Sequence, residues 1–130
     1  MASNLLNYLL RKEVFETKVE MPNLLDVIKS NIKKDLYDSI ILDNYTEEEL
    51  EKANNYIKHD RDYQLTYAGL QQLIDKYLVK DRTTGKSFET PQFCFMMIAL
   101  TVFASYDKEG RMDYVKELYD LISEHKISLP

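Results

Sequence analysis

Between Thr90 and Tyr106 the chain reads TPQFCFMMIALTVFASY, and apart from Cys94 and Tyr106 nothing in this run can ionise. A helix made from it is apolar on every face, so no orientation lets it lie at a surface with one side in water. It must be enclosed by protein or lipid. The run has about the minimum length for a membrane span. Gln92, Thr101 and Ser105 interrupt it, however, and no basic cluster flanks it. It therefore reads as a core helix, with Thr90 as its cap and Pro91 as its first residue.

Composition narrows what surrounds that helix. A chain of 130 residues fits one domain that buries roughly two-thirds of its unfolded surface. Only three glycines and three prolines are present, too few for many-turned β architecture. The formal net charge of −5 excludes a generic phosphate-backbone binder, which needs a basic face, so no nucleic-acid partner is expected. The single cysteine, Cys94, cannot form an intramolecular disulfide. The opening residues MASNLLN carry neither a basic region nor a small-residue cleavage site, so no signal peptide is read and a cytoplasmic location, away from membranes, is expected.

Helical signals recur along the chain. Residues 4–15 form a helix with Leu5, Leu6, Leu9 and Leu10 on one side, capped by Ser3 or Asn4. A second helix opens at Pro22, with Leu25, Ile28, Ile32 and Leu36 as its apolar stripe and Lys29, Lys33 and Lys34 on its wet face. Thr46-Glu47-Glu48-Glu49 is a capping box, and the helix behind it turns Leu50, Ala53 and Ile57 inward. Between Thr66 and Leu78 the residues Leu70, Leu73, Ile74, Tyr77 and Leu78 follow amphipathic spacing. Thr83-Thr84-Gly85 then signals a turn that joins two very short strands. Gly110 punctuates the end of the chain, and Met112, Val115, Leu118 and Ile122 form the last stripe. The expected fold is one all-α domain over residues 1–130, with about six helices and a short loop or mini-hairpin around residues 80–89.

Four constellations resemble chemical sites. Gly85-Lys86-Ser87 has the tail of a phosphate-binding loop, but position 80 is Lys80 where the motif needs glycine, and no strand leads in. His59-Asp60-Arg61-Asp62 gathers an imidazole, two carboxylates and a guanidinium. Adjacent residues do not share a helix face, and the only other histidine is His125. A helix end tied by a local Arg–Asp network is expected there, and no metal site. Cys94 has apolar neighbours and no base to activate it, so a buried thiol is expected. Tyr56, Tyr63, Tyr67 and Tyr77 are placed to cover helix junctions with their rings. No catalytic residue emerges.

Five blocks in order carry a resemblance. They are LLRKEVF (Leu9–Phe15), ILDNYTEEEL (Ile41–Leu50), HDRDYQLTYAGLQQL (His59–Leu73), KYLVKDRTTGKSFETPQF (Lys76–Phe93) and LYDLISEHKISLP (Leu118–Pro130). Together they resemble the large (α) subunit of aerobic class I ribonucleotide reductase, which reduces ribonucleoside diphosphates to deoxyribonucleotides for DNA replication. The resemblance implies the all-helical N-terminal domain of that subunit, without the ATP-cone domain ahead of it or the catalytic barrel behind it. In such an allosteric enzyme ATP and dATP are the effectors, and the small β subunit generates the radical. The cysteines that do the chemistry lie in the barrel.

Lys12 matches a family lysine that contacts the ATP or dATP effector, while Leu9 stands where the family has histidine. Arg61, Asp62, Glu89 and Gln92 match recurrent positions and are expected to tie the loop to the helix start. The implied role is structural, with no cofactor in this segment. The partners are the remainder of the α chain and, in the parent enzyme, the small subunit. Two alternatives fit the same resemblance: a free-standing helical module that regulates a reductase, or one half of a split α subunit. A surface made to meet a barrel also predicts exposed apolar residues and self-association.

Overall fold

A computed structural model describes residues 2–15, 22–37, 39–80, 84 and 87–124. They hold seven α-helices: α1 (Ala2–Phe15), α2 (Leu24–Lys33), α3 (Ile40–Asn44), α4 (Glu47–Tyr56), α5 (Tyr67–Lys76), α6 (Pro91–Val102) and α7 (Lys108–Ser123). A 3₁₀ turn, His59–Gln64, precedes α5. The all-α expectation holds. The helix count exceeds the sequence reading because α3 is only five residues long and shows no periodicity of its own.

Two compact units divide the chain, one from Met1–Met21 with Lys58–Cys94 and the other from Pro22–Ile57 with Phe95–Pro130. In the first, α1 packs on α5 and on the 3₁₀ turn. The α1 face that turns inward is a correction to the sequence reading. Leu5 and Leu9 are 60% and 51% exposed, whereas Asn7, Leu10 and Val14 are buried. Asn7 Nδ2 donates to the Asp62 carbonyl at 3.0 Å, and Arg11 Nη2 donates to the His59 carbonyl at 3.0 Å. Polar anchors therefore set the rotation of α1, and of its four leucines Leu5 and Leu9 are left in water while Leu10 is buried.

Thr66 caps α5, its hydroxyl accepting from Gly69 N at 3.0 Å, and Leu70, Leu73 and Leu78 are buried. A mini-hairpin follows. Lys80 and Ser87 form an isolated antiparallel bridge, and Phe88 N donates to Val79 O at 2.8 Å. Gly85, Lys86 and His125, and the side chain of Tyr63, lie outside the described residues. At the start of α6, Pro91 takes the first position, and Cys94 N donates to Thr90 O at 3.0 Å. The expected Thr90 side-chain cap is not made: its hydroxyl is buried and has no partner among the described residues. The fixed φ of Pro91 starts the helix unaided.

In the second unit α4 packs on α2 and on α7. α2 begins after Pro22, because Asn23 is the cap and its side chain accepts from Leu25 N at 2.9 Å. The inward residues are Leu24, Val27, Ile28 and Asn31, so only Ile28 of the expected stripe is fully buried. Leu36 falls beyond the helix, which ends before Asp35 at φ 60°. The Thr46–Glu49 capping box forms as read, at 3.0 and 3.2 Å, and Leu50, Ala53 and Ile57 are buried. Within α6, Phe95, Met96, Ala99 and Leu100 are buried, while Val102 is 50% exposed. Gly110, at φ 78°, kinks the start of α7, and Tyr119 in place of Leu118 joins Met112, Val115 and Ile122 inside.

Arg111 locks this unit. Its Nε and Nη2 meet Glu49 Oε2 and Oε1 at 2.9 and 2.8 Å, and Nη1 donates to the carbonyls of Ala104 and Tyr106, both at 3.2 Å. Nη2 also donates to Asn44 O, and the guanidinium lies 4.1 Å over the Tyr45 ring. The Tyr45 hydroxyl donates to Leu100 O at 2.5 Å, and burial pushes its pKa up to about 12. Arg111→Met would leave the Glu49 carboxylate buried without its cation, so a loss of about 3–5 kcal/mol is expected. Denaturant unfolding measures it; a loss below about 1 kcal/mol would show that the pair behaves as a surface ion pair.

Candidate functional site

A buried polar cluster lies in the first unit, where α1 meets the 3₁₀ turn. The His59-Asp60-Arg61-Asp62 run becomes that turn rather than an α-helix end, so its four side chains separate. Asp62 points into the protein with no exposure, Asp60 is exposed and Arg61 is part-covered. The ion pair at Asp62 comes from 51 residues away: Arg11 Nη2 sits 3.4 Å from Asp62 Oδ2. The sequence reading expected a local Arg–Asp network, and this long-range pair was not part of it. His59 stacks edge-on against Phe93, with ring centroids 4.7 Å apart.

Burial dominates the electrostatics here. It raises the Asp62 carboxyl to about 6, with the Gln92 side chain and the Arg11 charge pulling the other way. The same burial, helped by Arg11 and opposed by Asp60, lowers His59 to about 4. A buried carboxylate with one cation at 3.4 Å and an imidazole that resists protonation make a poor acid–base couple for catalysis at neutral pH. The cluster holds helices together.

Glu89 and Gln92 are buried, as the tie between loop and helix requires. Glu89 Oε1 accepts from Val79 N at 2.9 Å, closing the mini-hairpin onto the start of α6. From α1, Glu13 Oε2 accepts from Ser87 N at 3.0 Å. Cys94 is buried, with Sγ 3.9 Å from Tyr77 O. Burial first, then the Glu89 charge, pushes its thiol well up, which disfavours the thiolate a nucleophile needs. Lys12 is exposed on α1 between the two anchored residues Arg11 and Glu13. Among the described residues, no group of three or more His, Cys, Asp or Glu side chains could hold a metal ion. A surface groove along α7 is lined by Asp113, Lys116, Glu117, Asp120, Leu121 and Glu124, four carboxylates to one cation, and so disfavours an anionic ligand.

A model of the ribonucleotide reductase all-alpha domain matches residues 63–130. The chain belongs to the ribonucleotide reductase all-α domain family. It is 41% identical over all 130 of its residues to ribonucleoside-diphosphate reductase 1 subunit alpha of Salmonella typhimurium. Over the same 130 residues it is 40% identical to the Escherichia coli protein of that name. Against the alpha subunit of Enterobacteria phage T4 it is 39% identical over 129 residues. In each case it spans 17% of the relative's own length.

Sequence reasoning missed Asn7, Arg11, Glu13, Tyr45 and Arg111 as organising residues of this reductase domain. Their partners lie between 5 and 74 residues away, so local spacing carries no trace of them. Arg11→Gln tests the α1 anchor. At pH 7 it leaves the Asp62 carboxylate without a cation, and about 3–5 kcal/mol should be lost. At pH 4 Asp62 is protonated in the folded state, so the loss should shrink to roughly that of one hydrogen bond, about 1 kcal/mol. Equal losses at both pH values in denaturant titrations would refute the ion pair.

Proposed function

We propose that this chain is a structural domain of a ribonucleoside-diphosphate reductase α subunit, packed beside the catalytic barrel and not catalytic by itself. The observation that carries the reading is the near-40% identity along the whole chain to alpha subunits of which it spans 17%. The chemistry of the described residues supports it. The titratable groups at the centre of the first unit are spent on anchoring α1, and the one thiol is buried and proton-bound.

In this reading the enzyme is cytoplasmic, and ribonucleoside diphosphate reduction occurs in the barrel with a radical delivered by the small subunit. The domain contributes a helical wall. Exposed apolar residues on each unit fit a surface that meets more protein: Leu5, Tyr8 and Leu9 on α1 of the first, and Val102, Tyr106 and Tyr114 in the second. Lys12, exposed on α1, is the position through which an ATP or dATP effector would touch this segment in an assembled, allosteric α chain.

Assay of the purified 130-residue chain for reduction of ribonucleoside diphosphates, with a small subunit and reductant supplied, is expected to give no turnover. Mixing it with the separately expressed barrel portion of a related α subunit should restore activity; turnover by the short chain alone would overturn the proposal. In the assembled α chain, Lys12→Ala is expected to weaken the response to dATP by about tenfold, the loss of one charge-assisted contact. An unchanged response removes Lys12 from the effector site and leaves the structural reading intact.

A further inference from the structure

Arg11 reaches from α1 to two residues of the same 3₁₀ turn, donating to the His59 carbonyl and pairing with Asp62 Oδ2. One guanidinium therefore acts on both titratable groups, with opposite sense: it favours a carboxylate at position 62 and disfavours an imidazolium at position 59. Burial disfavours both charged forms. The hydrogen bonding agrees for the histidine. His59 Nδ1 is buried with no partner among the described residues, whereas an imidazolium would need an acceptor at each ring nitrogen. The interior of this cluster accommodates one fixed cation and presses both of its neighbours toward neutrality.

We propose that His59 and Asp62 form a proton-compensating pair around Arg11: seating α1 on the turn expels a proton from the imidazole and lets the carboxyl keep one, so that the seat holds equally firmly across weakly acidic pH. Two neighbours also act on this balance: the Gln92 side chain hydrogen-bonds Asp62 and opposes the rise of its carboxyl, and Asp60 opposes the fall of His59. On α1, Lys12 is exposed and Glu13 is engaged with Ser87 N. On the turn itself, Asp60 is exposed and acts on His59 alone, and Arg61 is part-covered. Gln92 and Phe93, at the start of α6, are uncharged. The charged residues of α5 at its C-terminal end, Asp75 and Lys76, are exposed.

The signs follow from proton linkage. Asp62 is raised from 3.8 to about 6, so its stabilising contribution is complete below the unfolded value and is lost as pH rises toward 6. His59 is lowered from 6.5 to about 4, so its contribution is complete above the unfolded value and is lost as pH falls toward 4. The two windows overlap, and their slopes oppose each other.

Urea unfolding of the 130-residue chain at half-unit steps from pH 4 to 7 tests this when each variant is read as a ratio to wild type. For His59→Gln the ratio of unfolding constants is expected to rise about tenfold per pH unit. For Asp62→Asn it is expected to fall about tenfold per pH unit, and the double variant should be flat. A single variant with a flat ratio overturns the pair. Should either variant fail to fold, NMR titration of the wild-type chain decides. A His59 ring that stays neutral to about pH 4, with an Asp62 carboxyl titrating near 6, upholds the proposal, and ordinary values for either group refute it.

Discussion

A helix without a polar face is the constraint from which the rest follows. Through its first ten residues α6 offers almost nothing that water can solvate, and Phe93, Met96, Ala99 and Leu100 are completely buried. Its first turn belongs to one compact unit and the remainder to the other, so each unit must supply apolar cover for its own part. At about 25 cal/mol per Å² of apolar area removed from water, such a helix is a large source of stability. It is also undirected. Every face of α6 is equally content inside, so apolar burial alone does not settle which neighbour goes where.

Direction comes from buried polar groups with long-range partners. In the first unit Arg11 and Asn7 rotate α1 so that they meet the 3₁₀ turn, and two leucines are left in water as a consequence. In the second unit Arg111 gathers Glu49 and the carbonyls of Asn44, Ala104 and Tyr106, joining the ends of α3 and α6 to the first turn of α4. Glu49 serves twice, since Oε1 also accepts from Thr46 N in the capping box. A guanidinium suits this role because its donors are fixed in a plane and point in several directions at once.

The sequence was most legible where the interaction is short-range. The Thr46 capping box, the Pro91 start and the Gly110 break all follow from residues within four positions of one another, and each forms as read. The mini-hairpin near residues 80–89 is of the same kind. Legibility failed where two faces of a helix compete. On α1 the leucine stripe is the stronger apolar signal, yet polar anchors outweigh it. On α2, cap formation by Asn23 moves the helix start past Pro22 and turns Leu24 and Val27 inward. The cluster around Asp62 was visible as a suggestive tetrapeptide, but its cation was not, because Arg11 lies in a different element.

Membership of the reductase family, the all-α class and the helix caps are properties of the sequence itself, since they depend on residue identity and on neighbours a turn away. Tertiary structure decided which side of α1 meets protein, which cation neutralises Asp62, and that Arg111 rather than any loop residue secures the second unit. The physical reason is that a buried charge must find its partner wherever the fold brings one. Linear spacing fixes contacts along a helix, but it holds no information about distances across the chain.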